Sequence, residues 1–375
     1  MKTILIGSTA LLAAAIIAPA AQASEPVKLQ LGGFMEYYVT GASQDDDFKG
    51  SVNSFDVQGE GEIYFQGKTT LDNGMTIGVM VQLESGTDNN GSDTIDESYL
   101  YVEGKYGKAI LGSTDNVAYL MRATAPNAAY TEVDDTAIPN YLARPDDVTD
   151  NITDLGFDGD ANKAIYMTPK FYGLQAGVSY TASNNGGGDD EWANGSNNPV
   201  TPLTNSESVV KAVDFDEAWA FGLSYEREIG PVGMLATAGY TIANGNGANA
   251  KDAEDWAFGL NLTYAGFTLG GAYRVIDAPE GSFAEETDGY AWDAGLMYAE
   301  GPYAVSINYR KSGARGDTAT AGKDTIDTYA LGGKYTLGAG VDVFGQLAYA
   351  QYDAEGDEQD NAGAFGGVVG LHLDF

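Results

Sequence analysis

Apolar and polar residues alternate along much of this chain. From Phe55 to Leu71 the odd positions are apolar, Gly or Thr, and the even positions are mostly Asp, Gln, Glu, Lys or Thr. The alternation resumes from Met75 to Glu84, after Asp72-Asn73-Gly74, a sequence typical of a tight turn. A period of two predicts β-strands with two different faces, and two such runs around a turn predict a β-hairpin.

The same alternation recurs in sixteen runs, about 22 residues apart on average once the first 23 residues are set aside. The runs begin near Val27, Phe55, Met75, Ile95, Gly107, Asn162, Leu174, Glu217, Gly233, Glu254, Phe267, Gly289, Tyr303, Ile326, Val341 and Ala364. With a rise of about 3.3 Å per residue and a tilt near 45°, about 11 residues cross an apolar band of about 25 Å. Each repeat therefore has room for one membrane-crossing strand and one connection.

The connections alternate between short turns and long loops rich in Gly, Asn and Asp, and aromatic residues such as Trp219, Trp256 and Trp292 lie near the ends of runs. Short turns on one side, long loops on the other and aromatic belts at the lipid headgroups are typical of outer-membrane barrels. We therefore predict an all-β fold, a sixteen-stranded antiparallel transmembrane β-barrel. A secreted β-sandwich remains an alternative, because its strands also alternate.

The N-terminus has the pattern of an export signal. Lys2 precedes an apolar run from Ile4 to Ala18, and Ala21-Gln22-Ala23 is a small-x-small cleavage site. We predict a signal peptide at 1–23 and an outer-membrane barrel at 24–375. A retained membrane anchor is the alternative, although the run is shorter than the ~20 residues of a spanning helix.

Composition narrows the functional classes. The chain has 54 acidic and 19 basic residues, a net charge of -35, no Cys and one His. Nucleic acid is bound by clusters of Lys and Arg, so we expect no nucleic-acid partner. The absence of Cys excludes thiol nucleophiles and thiolate metal sites, and a single His leaves no pair for a His-rich metal centre. Nothing in the sequence marks a nucleophile or acid that would pair with His372. We therefore expect no enzymatic activity and no cofactor.

Two acid-rich segments of the chain are candidates for calcium binding. The segments 45–47 and 88–93 resemble calcium loops in composition but lack the register of an EF-hand. Calcium at these acidic loops and plainly solvated carboxylates therefore both stay open.

Three segments and the signal ending carry a family resemblance. These are Lys28–Phe34, Tyr101–Gly112 and the closing Gly370–Phe375. The chain resembles a Gram-negative general diffusion porin of the alphaproteobacterial type. The resemblance implies a water-filled barrel in the outer membrane, among lipid and lipopolysaccharide. It also implies a homotrimer, a third long loop folded inward as a constriction, and Phe375 as the signal read by the barrel-insertion machinery.

The third long loop, from about Ser113 to Asp160, is the longest connection, and a loop of that length favours packing inside the barrel. Solvated surface remains the alternative for any one of its acids. We expect the narrow zone of the pore to be lined by residues of this loop and of the facing wall. They are Asp115, Arg122, Glu132, Asp134 and Asp135 from the loop, with Glu60, Glu62, Tyr101, Arg274 and Arg310 from the wall.

The family's constriction sets loop acids against basic residues of the wall. This chain departs from that pattern, because its second strand points Glu60 and Glu62 inward. We therefore predict passive diffusion of ions and small hydrophilic solutes with weak, salt-sensitive cation selectivity. One alternative is a solute-specific channel, for example for sugars stacking on Tyr64, Tyr99 and Tyr101. Another is a non-conducting barrel that acts as an adhesin or envelope tether.

Overall fold

The structure is a computed structural model. It describes residues 26–44, 54–86, 95–133, 138, 141–145, 148–182, 215–245, 250–282, 284–316, 321–356 and 362–375. The predicted signal peptide, both acid-rich segments (45–47 and 88–93), Asp134 and Asp135 lie outside the described residues.

Sixteen strands of the described chain form a closed barrel in which each strand pairs antiparallel with its sequence neighbours and β1 pairs with β16. The strands are β1 Lys28–Gln44, β2 Phe55–Thr70, β3 Thr76–Gly86, β4 Ile95–Gly104, β5 Gly107–Ser113, β6 Asn162–Met167, β7 Leu174–Thr181, β8 Phe215–Ile229, β9 Val232–Gly245, β10 Ala253–Tyr264, β11 Phe267–Asp277, β12 Gly289–Glu300, β13 Tyr303–Ala314, β14 Asp324–Gly338, β15 Val341–Asp353 and β16 Ala362–Asp374. Each begins at or close to its predicted position, so the predicted fold class is confirmed.

The outer face of the barrel is apolar and exposed. On β14, Tyr329 and Leu331 are 50% and 57% exposed, while the alternate residues Thr328 and Ala330 are buried on the inner face. Large apolar side chains are exposed in the same way around the barrel, as at Phe258. A continuous apolar face of this kind is compatible with hydrocarbon rather than water. The closed sheet also removes the sandwich alternative.

The packed core lies inside the barrel. Residues 114–161, here called the inner loop, connect β5 to β6 and begin with a short helix, α1, at Val117–Leu120. Val117, Leu142 and Leu155 of the inner loop are almost completely buried. Hydrophobic clusters join the inner loop to inward-facing side chains of the strands.

A 3-10 turn at Glu285–Thr287 lies between β11 and β12. None of the described helices has the length and apolar character needed to cross a membrane.

The C-terminus closes the barrel. The backbone N–H of Phe375 donates to the Gly33 carbonyl at 3.0 Å, and the Gly33 N–H donates to the Phe375 carbonyl at 3.0 Å. The last residue therefore continues the ladder between β16 and β1.

Candidate functional site

The inner loop follows the inner wall of the barrel. Helix α1 contacts β6 to β9. Farther along, the Ala128 N–H donates to Ser306 Oγ of β13 at 3.0 Å, and Thr131 Oγ1 donates to Gln346 of β15 at 2.8 Å. Gln44 of β1 then donates to the Ala143 carbonyl at 3.0 Å. These contacts place the loop against the wall from β6 round to β1, and at the start of the loop Thr114 Oγ1 donates to Glu97 of β4 at 2.6 Å. The strands β2 and β3 form the part of the wall that these contacts do not reach.

Inward-facing glycines make room for the loop. A Cβ atom added at Gly259 of β10 would lie 2.1 Å from the Ala123 carbonyl oxygen, and one at Gly222 of β8 would lie 2.7 Å from the Val117 carbonyl oxygen. A real Cβ cannot approach that closely, so a side chain at either position would displace the loop. The sequence held this signal, because glycines recur at inward positions of β8, β9, β10, β12 and β14.

Two arginines of the wall contact the second half of the inner loop, residues 148–161, which returns to β6. Arg310 of β13 donates from Nη1 and Nη2 to the two carboxylate oxygens of Asp150, at 2.8 Å each, and also donates to the Asn151 carbonyl. Arg274 of β11 donates from Nε to Asp255 of β10 at 2.9 Å and from Nη1 to the loop carbonyl of Ile152 at 3.2 Å. Both arginines are buried, so they position the loop and their charges are matched by carboxylates.

Asp293 of β12 joins the outgoing and returning halves of the loop. Its carboxylate accepts from the Ala125 N–H at 2.9 Å and from Thr153 Oγ1 at 2.8 Å. Arg122 links the same two halves, since its Nε lies 2.5 Å from Asp154 Oδ1. The two halves of the inner loop are thus connected to each other through Asp293 and Arg122, and both are also bound to the wall.

The opposite wall is acidic. Glu60 and Glu62 of β2, Glu84 of β3 and Asp96 of β4, here called the acidic wall, lie on the lumen face. Carboxylate oxygens of Glu62, Glu84 and Asp96 lie within 4.8 Å of one another. A register shift between β3 and β4 sets Gln82 opposite two successive residues, so that both Asp96 and Glu97 point inward.

A second carboxylate group lies where the loop leaves and rejoins the barrel. Oxygens of Glu97, Asp115 and Asp160 lie within 4.8 Å of one another. Burial, followed by the charges of Asp160 and Glu97, raises the pKa of Asp115 to about 8. Asp115 is therefore largely protonated at neutral pH and gains its charge in mildly alkaline solution.

The remaining predicted site residues are placed as follows. Glu132 is half-buried in the inner loop. Tyr101 lies beside Tyr99, with ring centroids 6.5 Å apart, and packs against the hydrophobic cluster around Ile110 and Val117. The structure thus brings Glu62 together with Glu84 and Asp96. Sequence reasoning missed Asp96, because the bulge in β4 hides its phase.

Comparison with known proteins agrees with this geometry. A family model described as Gram-negative porin matches residues 7–355. An uncharacterized protein of Rickettsia conorii is 24% identical over 367 residues, covering 81% of each chain.

Solved structures share the fold. An anion-selective porin from Comamonas acidovorans aligns with a TM-score of 0.60 at 16% identity, covering 93% of this chain and 100% of that one. Another solved porin aligns with a TM-score of 0.58 at 14% identity over the same shares.

Proposed function

This chain belongs to the Gram-negative porin family and forms a diffusion channel in the outer membrane, and we propose that this channel weakly prefers cations over anions. Ions and small hydrophilic solutes pass through the lumen between the inner loop and the wall of β2–β4. The residues of this chain act by filtering: the bulk of the loop limits solute size, and fixed charges bias the ions.

One observation carries the proposed selectivity. The acidic wall presents four carboxylates to the lumen, Glu60, Glu62, Glu84 and Asp96, whereas Lys68, near a short turn, is the basic residue among the inward positions of β2–β4. Elsewhere on the wall, Arg274, Arg310, Lys163 and Lys334 each lie beside a carboxylate. Near the short turns, Lys108 of β5 is opposite Glu103 of β4, and Lys28 of β1 is opposite Lys68. The charge balance of the lumen is therefore negative.

The expected preference is modest. Across about 6 Å of water, two unit charges interact by about 0.7 kcal/mol, which changes a local ion concentration roughly threefold. Salt screens that interaction over about 8 Å at physiological ionic strength. A several-fold preference for potassium over chloride that fades in concentrated salt is the result we expect.

Neutralising the acidic wall tests the proposal. The triple variant Glu62→Gln, Glu84→Gln, Asp96→Asn keeps side-chain volume and replaces three carboxyl groups with amides. In a planar bilayer under a potassium chloride gradient, we expect its reversal potential to move toward zero while its conductance stays large.

The matched control removes three exposed carboxylates at the end of the barrel that carries the short turns, by Glu226→Gln, Glu228→Gln and Glu300→Gln. This variant should keep most of the cation preference. Equal reversal potentials for the two triple variants would contradict the assignment of selectivity to the acidic wall.

We also propose that the barrel is a homotrimer whose contacts lie on β4–β7. These strands have 10, 7, 6 and 8 residues, whereas β14 has 15. With the usual rise and tilt, 7 residues span about 16 Å, less than the apolar band of about 25 Å. A neighbouring copy of the chain would cover the part of the apolar band that the short strands β4–β7 do not span.

Thiol crosslinking tests the trimer, because the chain has no Cys of its own. A single Leu111→Cys substitution on β5, within the proposed interface, should give a crosslinked product of three chains with a short bifunctional thiol reagent. The matched Leu347→Cys on the opposite wall, 52% exposed, should not. Crosslinking at both positions, or at Leu347 alone, would contradict the proposed interface.

Phe375 is the proposed assembly signal. It is 62% exposed at the end of β16. Deletion of Phe375 should lower the yield of folded barrel in the outer membrane, and an unchanged yield would contradict the role.

A further inference from the structure

His372, the single histidine of the chain, is held between two carboxylates on the inner face of β16. Its Nδ1 lies 3.0 Å from Glu36 Oε2 of β1, and its Nε2 lies 3.2 Å from Asp374 Oδ1. The side chain is buried. Each ring nitrogen therefore faces a carboxylate oxygen.

The same imidazole is stacked between two aromatic rings. Phe34 of β1 lies on one side, with ring centroids 5.5 Å apart and an interplanar angle of 14°. Tyr130 of the inner loop lies nearly parallel to the imidazole, at 3.8 Å and 3°. The stack fastens the inner loop to the two strands that close the barrel.

Other charged groups surround this stack. Asp342 of β15 is directly opposite His372 in the strand register and accepts a 2.6 Å hydrogen bond from the Tyr130 hydroxyl. Lys334 of β14 lies 2.9 Å from Asp342 and 5.0 Å from the centroid of the Tyr130 ring. Glu60 of β2 is opposite Glu36. Burial and the bond to Asp342 raise the pKa of Tyr130, so this phenol stays neutral.

Protonation changes what the imidazole can do here. A neutral imidazole has one N–H donor and one lone pair, whereas an imidazolium has two donors and can satisfy both Glu36 and Asp374. A cation on the face of Tyr130 is also attracted by the ring. Loss of the proton turns one hydrogen bond into a contact between two lone pairs and removes the cation from the stack.

We propose that His372 is a positioning residue that clamps the inner loop through Tyr130 when it is protonated and loosens it when it is neutral. The loop that narrows the pore would then be steadier in acidic than in alkaline solution. The effect of His372 on the pore rests on the proposed channel function, whereas the link between His372 and Tyr130 can be tested without measuring conductance.

The direct test is a nuclear magnetic resonance titration of the barrel labelled with ¹⁵N-histidine in lipid nanodiscs, from about pH 5 to about pH 9. One histidine gives one set of signals. We expect Tyr130→Leu to change the pH dependence of the His372 signals, because the variant removes the ring stacked on the imidazole. Tyr99→Leu, a lumen control on β4, should leave that dependence unchanged. Identical titration curves in wild type and Tyr130→Leu would overturn the clamp.

Single-channel recording tests the consequence for the pore. In wild type, current fluctuations should increase at least twofold between acidic and alkaline solution. In His372→Phe, which keeps the stack without the proton, the increase should be clearly smaller, although Asp115 of the inner loop still gains its charge. The same pH dependence in both proteins would overturn the regulatory role. A barrel without conductance would contradict the proposed function, and the titration would still decide the link between the two residues.

Discussion

Arg310 and Asp150 are joined by two parallel hydrogen bonds of 2.8 Å, which connect β13 to the inner loop across 160 positions of sequence. Both side chains are buried, at 2% and 5% exposure. A planar guanidinium matches the two oxygens of a carboxylate, so the pair fixes orientation as well as distance. The position of the inner loop against β13 depends directly on this contact.

Breaking that pair should loosen the loop. In Arg310→Met, Asp150 keeps its burial but loses its main partner, and removal of one member of a buried pair costs about 3 kcal/mol or more. We expect this loss in the free energy of unfolding measured by urea in lipid vesicles. The control is Lys170→Met, because Lys170 and Glu226 form an exposed pair at 2.6 Å. It should cost less than about 1 kcal/mol, and equal losses in both variants would contradict a clamping role for Arg310.

A methyl group added at Gly259, one of the inward-facing glycines that make room for the inner loop, should displace the loop. In Gly259→Ala the new Cβ would meet the Ala123 carbonyl at 2.1 Å, which requires a backbone shift costing about 1–3 kcal/mol. We expect an altered single-channel conductance. The matched Gly233→Ala, whose nearest atom would lie 3.7 Å away, should conduct like wild type. Unchanged conductance in Gly259→Ala would mean that the loop does not set the width of the pore.

Asp115 should make stability depend on pH. Its pKa is raised to about 8 in the folded protein, against about 3.9 for an unperturbed Asp. Between those values the folded state holds a proton that the unfolded state lacks, so stability falls as pH rises from about 4 to about 8 and then levels off. Asp115→Asn should flatten this slope in urea unfolding. A slope unchanged by the substitution would show that Asp115 ionises normally.

The two faces of the wall should respond oppositely to charge. Leu331→Arg places a cation on the exposed apolar face and should cost about 2–4 kcal/mol if the position lies near the bilayer midplane. Gln66→Arg, on the lumen face of β2, should be tolerated, because water solvates the new charge. Equal costs, measured by urea unfolding in vesicles, would contradict the orientation of the barrel wall.

The barrel could be predicted from the sequence because apolar and polar residues alternate within each strand and so indicate which face of the strand is directed outward. A period of two fixes which side chains face lipid, and this signal is local, as in the run from Phe55 to Leu71. The inward direction of Glu60 and Glu62 followed from the same phase, whereas Asp96 and Glu97 did not, since a bulge breaks the phase in β4.

Partners across the lumen could not be predicted in the same way. Arg274 and Arg310 were expected to line the pore, but which carboxylates they bind depends on strand register and on the path of the inner loop. Asp255 and Asp150 are 19 and 160 residues away from them. Periodicity within single strands contains no information on such pairings. The room for the inner loop could have been recognised in the sequence, because glycines recur at inward positions of β8, β9, β10, β12 and β14.

If the acidic wall biases the ions in the lumen, the pore should conduct and prefer cations. The most direct test is the reversal potential of the unmodified protein in a planar bilayer across a potassium chloride gradient, first in dilute and then in concentrated salt. We predict a large, linear conductance with a cation-directed potential that shrinks as salt is added. A zero or anion-directed potential in dilute salt would contradict cation selectivity set by the acidic wall.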